Sequence, residues 1–338
     1  MLRRGQVFGL IAPAIAAIAV ALTAAAQTPP ERVLRVGFIG VAPSAQYDAT
    51  IRRQPLWQRY DQEMRKRGWI EGRNLVTLFR TTEGKLERVP DIAVELARSK
   101  AEVIMVPHLA MAVAGSAAAP SVPFFSLAAD PVVRGVVQNL NRPGGNINGI
   151  FASAQTGTST VEQKRLELLR EMVPQMRRVA FVATREWWDG VWGGVLREAA
   201  ARFGLEVLYV ETTSANFAEP LAKLRRGRPD AVYFESSPSA FSHRVALGGF
   251  AATSGIPTAC GHQELVEAGC LMTYNFTNAE GFDAMVDFVD RVAKGARPGD
   301  LPYRQYSRYE FALNARTAKA IGLAIPQATL LRADRVIE

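Results

Sequence analysis

The sequence predicts an α/β fold of two lobes, each a doubly wound parallel sheet, with a cleft between them. Three observations carry that expectation. Short β-branched runs alternate with amphipathic stretches of helical length from Val33 onward, as in right-handed βαβ units. The alternation completes one set and then begins a second. The chain of 338 residues is also too long for one small core.

The first set opens with VLRVGFIG (Val33 to Gly40) as a strand, followed by a helix from Gln54 to Arg67 carrying Trp57, Tyr60 and Met64. NLVTLFRT supplies a second strand and LERVPDIAVELARSK a second helix. VIMVP, a small-residue helix through Ala110 to Ala118, and VPFFSLAAD follow. NRPGGNINGIFAS reads as a crossing between lobes, and VEQKRLELLREM as the helix that opens the second set. That set continues through VAFVAT, a helix to Phe203, LEVLYVET, a helix near Lys223, AVYFESS, a helix to Thr253, and IPTACG. The expected division is residues 33–150 with 276–338 in lobe 1, and 151–275 in lobe 2.

Residues 1–26 read as a secretory signal peptide. A basic start at Arg3 and Arg4 precedes an apolar stretch that ends in Ala24-Ala25-Ala26, the small-residue pattern of a cleavage site. An uncleaved anchor is the alternative, because the stretch is nearly long enough to span a bilayer. Arg3-Arg4 raises the twin-arginine route beside the general one. An exported, periplasmic chain beginning near Gln27 is the expectation.

The formal net charge is +8, or +6 once Arg3 and Arg4 leave, and the charges are scattered. Clusters such as Arg65-Lys66-Arg67 and Arg225-Arg226 sit on helix flanks, where solvated charge is the ordinary use. No basic aromatic stripe argues for nucleic acid. Cys260 and Cys270 are the only cysteines. In an oxidising compartment they are expected to pair as a disulfide, with two buried thiols as the alternative. No HExxH or CxxC pattern indicates a metal, Gly144-Gly145 lacks the lysine of a phosphate loop, and no G-x-S-x-G elbow indicates a serine hydrolase. Neither a cofactor nor enzymatic activity is expected.

In open parallel sheets, ligands gather beyond the carboxyl ends of the strands, where helix N-termini converge. The loops to watch therefore include those holding Ser44 and Tyr47, His108, Asp130, Arg185 to Asp189, Ser236 and Ser237, and His262. TREWWDGVWGG stands out among them, with Trp187, Trp188 and Trp192 within six positions. Adjacent Trp187 and Trp188 cannot both enter one core without a turn of the backbone, so one is expected in the cleft as an aromatic platform. An exposed ring there would stack a planar or cationic solute. Packing beneath the following helix is the alternative, and the one expected for Trp192.

Several strings are similar to a known family. DPVVRGVVQNLNRPGGNINGI, KRLELLREMVPQMRRVAFV, ELVEAGCLMTYNF and FALNARTAKAIGLAIPQATLLRADRVIE occur here in order. They resemble the crossing segments and C-terminal region of ABC-transporter substrate-binding proteins related to those for tryptophan and other aromatic amino acids. The resemblance implies a type I periplasmic-binding-protein fold that clamps a small organic solute between its lobes, with an aromatic or amphipathic carboxylate or amino acid as the expected class. It also implies delivery to the permease and ATPase subunits of an ABC importer by a monomeric carrier. A periplasmic ligand-sensing protein is the alternative, and a periplasmic enzyme a more distant one. Two loops depart from the family pattern. VPHLAMA replaces a Gly/Thr-rich loop, and TREWWDG replaces an Asn-Pro loop.

The candidate ligand residues are Ser44, Tyr47, His108, Asp130, Arg185, Trp187, Trp188, Asp189, Ser236, Ser237, His262 and Tyr274. Arg185 would hold a carboxylate, and Asp130 or Asp189 an ammonium. Asp130 could instead cap the helix expected from Pro131. His108 and His262 follow strands of opposite lobes and are placed to meet across the cleft. The hinge is expected near Gly149 to Ala154 and Tyr274 to Thr277.

Overall fold

The computed structural model describes residues 32–41, 51–127, 131–132, 135–152, 161–213 and 217–338. The proposed signal peptide and the candidates Ser44, Tyr47 and Asp130 lie outside the described residues. No described helix is long and apolar enough to cross a membrane.

Two sheets organise residues 34–338. The first contains β1 (Leu34–Gly40), β2 (Leu75–Thr81), β3 (Val103–Val106), β4 (Phe124–Leu127), β5 (Ile147–Phe151) and β11 (Arg304–Gln305). Their order is β11-β5-β4-β3-β1-β2, with every pairing parallel. The second contains β6 (Arg178–Thr184), β7 (Glu206–Thr212), β8 (Ala231–Phe234), β9 (Thr258–Cys260), β10 (Met272–Phe276), β12 (Tyr309–Asn314) and β13 (Arg335–Ile337). Its order is β13-β12-β10-β9-β8-β6-β7. In both sheets the second strand lies to one side of the first and the third to the other. Each sheet therefore has a switch point, between β1 and β3 and between β6 and β8, where loops diverge and leave a crevice.

The strand runs are nearly continuous in apolar residues because both faces are covered. Along β1, Leu34, Val36 and Phe38 enter one core cluster while Ile39 enters another. Along β6, Val179 and Phe181 face one layer and Ala180 and Val182 the opposite one. The helix α1 (Pro55–Lys66) starts with Pro55 at its first position, where a missing N–H costs nothing. It buries Trp57, Tyr60 and Met64. Trp57 sets its ring edge-on to Phe38, Phe79 and Phe282 at 4.7–5.4 Å. Phe282 belongs to α11 (Asn278–Ala293), which returns from the second sheet to cover the first.

One boundary differs from expectation. Residues 276–338 were expected to close lobe 1, yet β12 runs antiparallel to β10 and β13 pairs with β12. Asn314 reinforces this placement by donating to Val266 O at 2.8 Å. Only α11 and β11 from this stretch serve the first lobe, so the chain crosses once more, after β11. The crossing at β10 is abrupt. Tyr274 packs on a second-lobe core, whereas Phe276 packs on a first-lobe core and stacks on Tyr306 at 4.0 Å.

Cys260 and Cys270 are unbonded and buried. Each thiol is directed to main-chain carbonyls: Cys260 Sγ lies 3.3 Å from Met272 O, and Cys270 Sγ lies 3.6 Å from Thr258 O. This corrects the expected disulfide. Burial among apolar side chains pushes the Cys260 thiol upward and leaves it a small, inert core residue.

Candidate functional site

The carboxyl ends of the two sheets hold the polar groups that the cores exclude. In the first sheet, Thr82 follows β2, donates its N–H to Gly40 O at 2.9 Å, and is wholly buried. Among the described residues its hydroxyl has no partner. Next to the switch point, β3 runs through Pro107 into His108, which precedes α3 (Leu109–Ala118) with extended backbone and no side-chain cap. The imidazole stands where the first amides of α3 are unpaired, as expected of a helix start. Burial pushes its pKa down to about 3, and His262 contributes to the same shift. The ring is therefore neutral, and His262 of the opposite lobe lies within electrostatic range.

In the second sheet, β6 ends at Thr184, whose hydroxyl caps α5 (Arg185–Asp189) by accepting from Trp187 N at 3.4 Å. Past β8, Glu235 is 1 % exposed. It accepts from Ser237 Oγ at 2.7 Å and Thr184 N at 3.2 Å. Burial raises its pKa to about 7 even though these donors oppose the shift. Ser237 caps α8 (Pro238–Ser242), and Ser236 Oγ donates to Glu162 Oε1 at 3.3 Å. Gly261, past β9, is required by close approach: a Cβ there would lie 2.3 Å from Ser236 Cβ. The loops after β8 and β9 are thereby pressed together.

His262 follows directly. Its Nε2 donates to Ser237 O at 3.1 Å, and its ring meets Phe241 edge-on at 5.5 Å. Burial, followed by the Arg165 charge, takes its pKa down to about 4. Phe241 itself packs on the first-lobe cluster that contains Val106 and Leu109. Phe241 of one lobe thus packs on the cluster of the other that holds Leu109, and His262 lies within electrostatic range of His108.

Behind this corner lies Arg165, which is completely buried. It sits on α4 (Val161–Met172), donates to Tyr274 O at 3.0 and 3.2 Å and to Tyr233 OH, and lies 3.9 Å from Glu162. One cation therefore ties the helix after the first crossing to the strand of the second. Glu162, Arg165, Glu235 and Phe241 were not identified from sequence. VEQKRLELL reads as a surface-charged helix, and only the tertiary fold turns Glu162 and Arg165 inward.

Trp188 stacks on Tyr209 at 4.6 Å with 14° between planes, and the Arg197 guanidinium lies 4.6 Å from its ring centre. Trp187 and Trp188 both pack on the second-lobe core. Gly193 lets α6 (Val191–Arg202) approach, since a Cβ there would fall 2.0 Å from Trp188 O. These contacts hold one side of the Trp188 ring against the scaffold, and both Trp187 and Trp188 are half-buried. Arg185 is exposed and pairs with Glu211 at 2.5 Å, and Asp189 is exposed on the same rim. Tyr274 is half-buried and stacks on Tyr309 at 5.8 Å. Its main chain is tied to Arg165, and its ring faces the core of its own lobe. The structure therefore gathers His108, Ser236, Ser237 and His262, and places the loop holding Arg185, Trp187, Trp188 and Asp189 after β6, next to β8, where Arg185 and Asp189 are exposed.

Comparison with known proteins agrees with this architecture. A family model described as ABC transporter substrate binding protein matches residues 61–337. A tyrosine-binding protein of Clostridioides difficile (strain R20291) is 22% identical over 260 residues, covering 76% of this chain and 73% of that protein. The crystal structure of a conserved domain protein from Vibrio cholerae superposes with a TM-score of 0.77 at 20% identity, over 90% of this chain and 100% of that one. An ABC domain from Streptococcus pneumonia in complex with L-Trp gives 0.72 at 18% identity, over 89% and 100%. The fold is that of the type I periplasmic binding proteins.

Proposed function

This chain belongs to the family of ABC-transporter substrate-binding proteins, and from that premise we propose that it captures a small aromatic or amphipathic carboxylate or amino acid between its two sheets. In this reading it hands the solute to an ABC permease outside the cytoplasm, after removal of residues 1–26 as a signal peptide. The observation that carries the reading is the meeting of His108 with His262 and Phe241 at the carboxyl ends of opposing sheets. A solute held there touches both lobes. Contacts made only when the lobes are together bias the chain toward closure.

Ser236 and Ser237 supply further polar contacts beside His262. The tyrosine-binding relative and the L-Trp complex support an aromatic solute. The test is a titration of the mature chain, followed by tryptophan fluorescence and thermal shift. The panel contains aromatic amino acids, aromatic acids, branched-chain amino acids and sugars. A saturable response to an aromatic amino acid or acid is expected, and a response to sugars alone would overturn the assignment.

A further inference from the structure

His262 offers only one of its two nitrogens to a solute. Its Nε2 lies 3.1 Å from the Ser237 carbonyl oxygen. A carbonyl only accepts, so that nitrogen must carry the proton. Burial keeps the ring from taking a second proton near neutral pH. A neutral imidazole protonated at Nε2 is necessarily unprotonated at Nδ1. Among the described residues Nδ1 has no partner. The ring is half-buried at the end of β9, bordered by Phe241 and within electrostatic range of His108. The residue after it, Gln263, has a buried Nε2 with no partner. Two unsatisfied polar atoms of opposite kind therefore stand on successive residues where the lobes meet. The Gln263 amide is buried at a cost while unpaired, and the half-buried His262 Nδ1 beside it is open to a donor.

We propose that His262 is a specificity-determining residue of the solute site, with Nδ1 accepting a hydrogen bond from an N–H or O–H group of the solute. The cleft then selects solutes bearing that donor over analogues of the same shape that lack it. The inference rests on the solute-binding reading above and goes beyond it by fixing the polarity of one contact. A site built to bond a donor discriminates against its absence, because a solute without the donor displaces water from the acceptor and returns no hydrogen bond.

The test is calorimetric titration of the mature chain with matched pairs. L-Phenylalanine against 3-phenylpropionate isolates the ammonium, and L-tyrosine against L-phenylalanine isolates the ring hydroxyl. In the wild type, one donor-bearing member is expected to bind at least about tenfold more tightly than its partner. His262→Phe should erase that preference by weakening the donor-bearing member alone. His262→Asn, which returns an acceptor oxygen close to the place of Nδ1, should restore it. Wild-type Kd values equal within both pairs would overturn the inference and leave solute binding intact, as would a His262→Phe variant that weakens both members equally. Failure of every member of the panel to bind would count against the aromatic-solute reading itself, and this inference would fall with it. Should His262→Phe fail to fold, the wild-type pairs and His262→Asn still decide the matter.

Discussion

At the scale of single residues, buried ionisable groups give the molecule its pH behaviour. Glu235 has its pKa raised from 4.5 to about 7, so the folded chain binds that proton more tightly than the unfolded chain does. Its stabilising contribution is complete below pH 4.5 and is lost as pH rises through 7. Glu235→Gln keeps the shape and removes the titration. The wild type should lose about 3 kcal/mol relative to that variant between pH 4.5 and 7.5, measured by urea denaturation. His108 and His262 act in the opposite sense. Their pKa values lie below the ordinary 6.5, at about 3 and 4, so their contribution is complete above pH 6.5 and is lost as pH falls through those values. Replacing both with asparagine should flatten the stability profile between pH 6 and 4. Trp188 belongs to the scaffold by its contacts with Tyr209 and Arg197. Trp188→Ala should therefore lower the unfolding free energy by about 2 kcal/mol, less than for a fully buried tryptophan because the ring is half-exposed.

At the scale of elements, the central strands β1, β3, β6 and β8 were legible because they are buried on both faces and read as nearly unbroken apolar runs. Their ends located the site before any contact was known. The chemistry at those ends was less visible. Arg165 and Glu162 occupy a helix whose sequence matches a solvated face, and their burial follows only from its docking beside β9 and β10. The loop 184–189 was legible only in part for the converse reason. Its aromatic residues suggested a platform, but Thr184 caps a short helix that turns Trp188 onto Tyr209. The allocation of β12 to the second sheet was also hidden, since YEFALN would suit either sheet and only its pairing with β10 decides. Arg165 offers a test at this scale. Arg165→Met should cost about 3 kcal/mol, because Glu162 and the Tyr274 carbonyl are left buried without their cation. The loss should appear as a lower urea midpoint with an unchanged slope.

At the scale of the whole molecule, two sheets of the same winding present their carboxyl ends to each other, and the chain passes between them at β5, β10 and the segment after β11. Phe276 and Tyr274, two residues apart, pack on different lobes, so the crossing at β10 is short. That arrangement suits a clamp. Our account places the solute at the His108–His262 corner and makes the tryptophan loop structural. The most direct measurement is calorimetric titration of wild type, His108→Ala and Trp188→Ala with one panel of aromatic amino acids and acids. We expect saturable binding by the wild type, Kd raised at least about tenfold in His108→Ala, and Kd nearly unchanged in a less stable Trp188→Ala. Binding abolished by Trp188→Ala and untouched by His108→Ala would contradict the account and move the solute to the loop after β6.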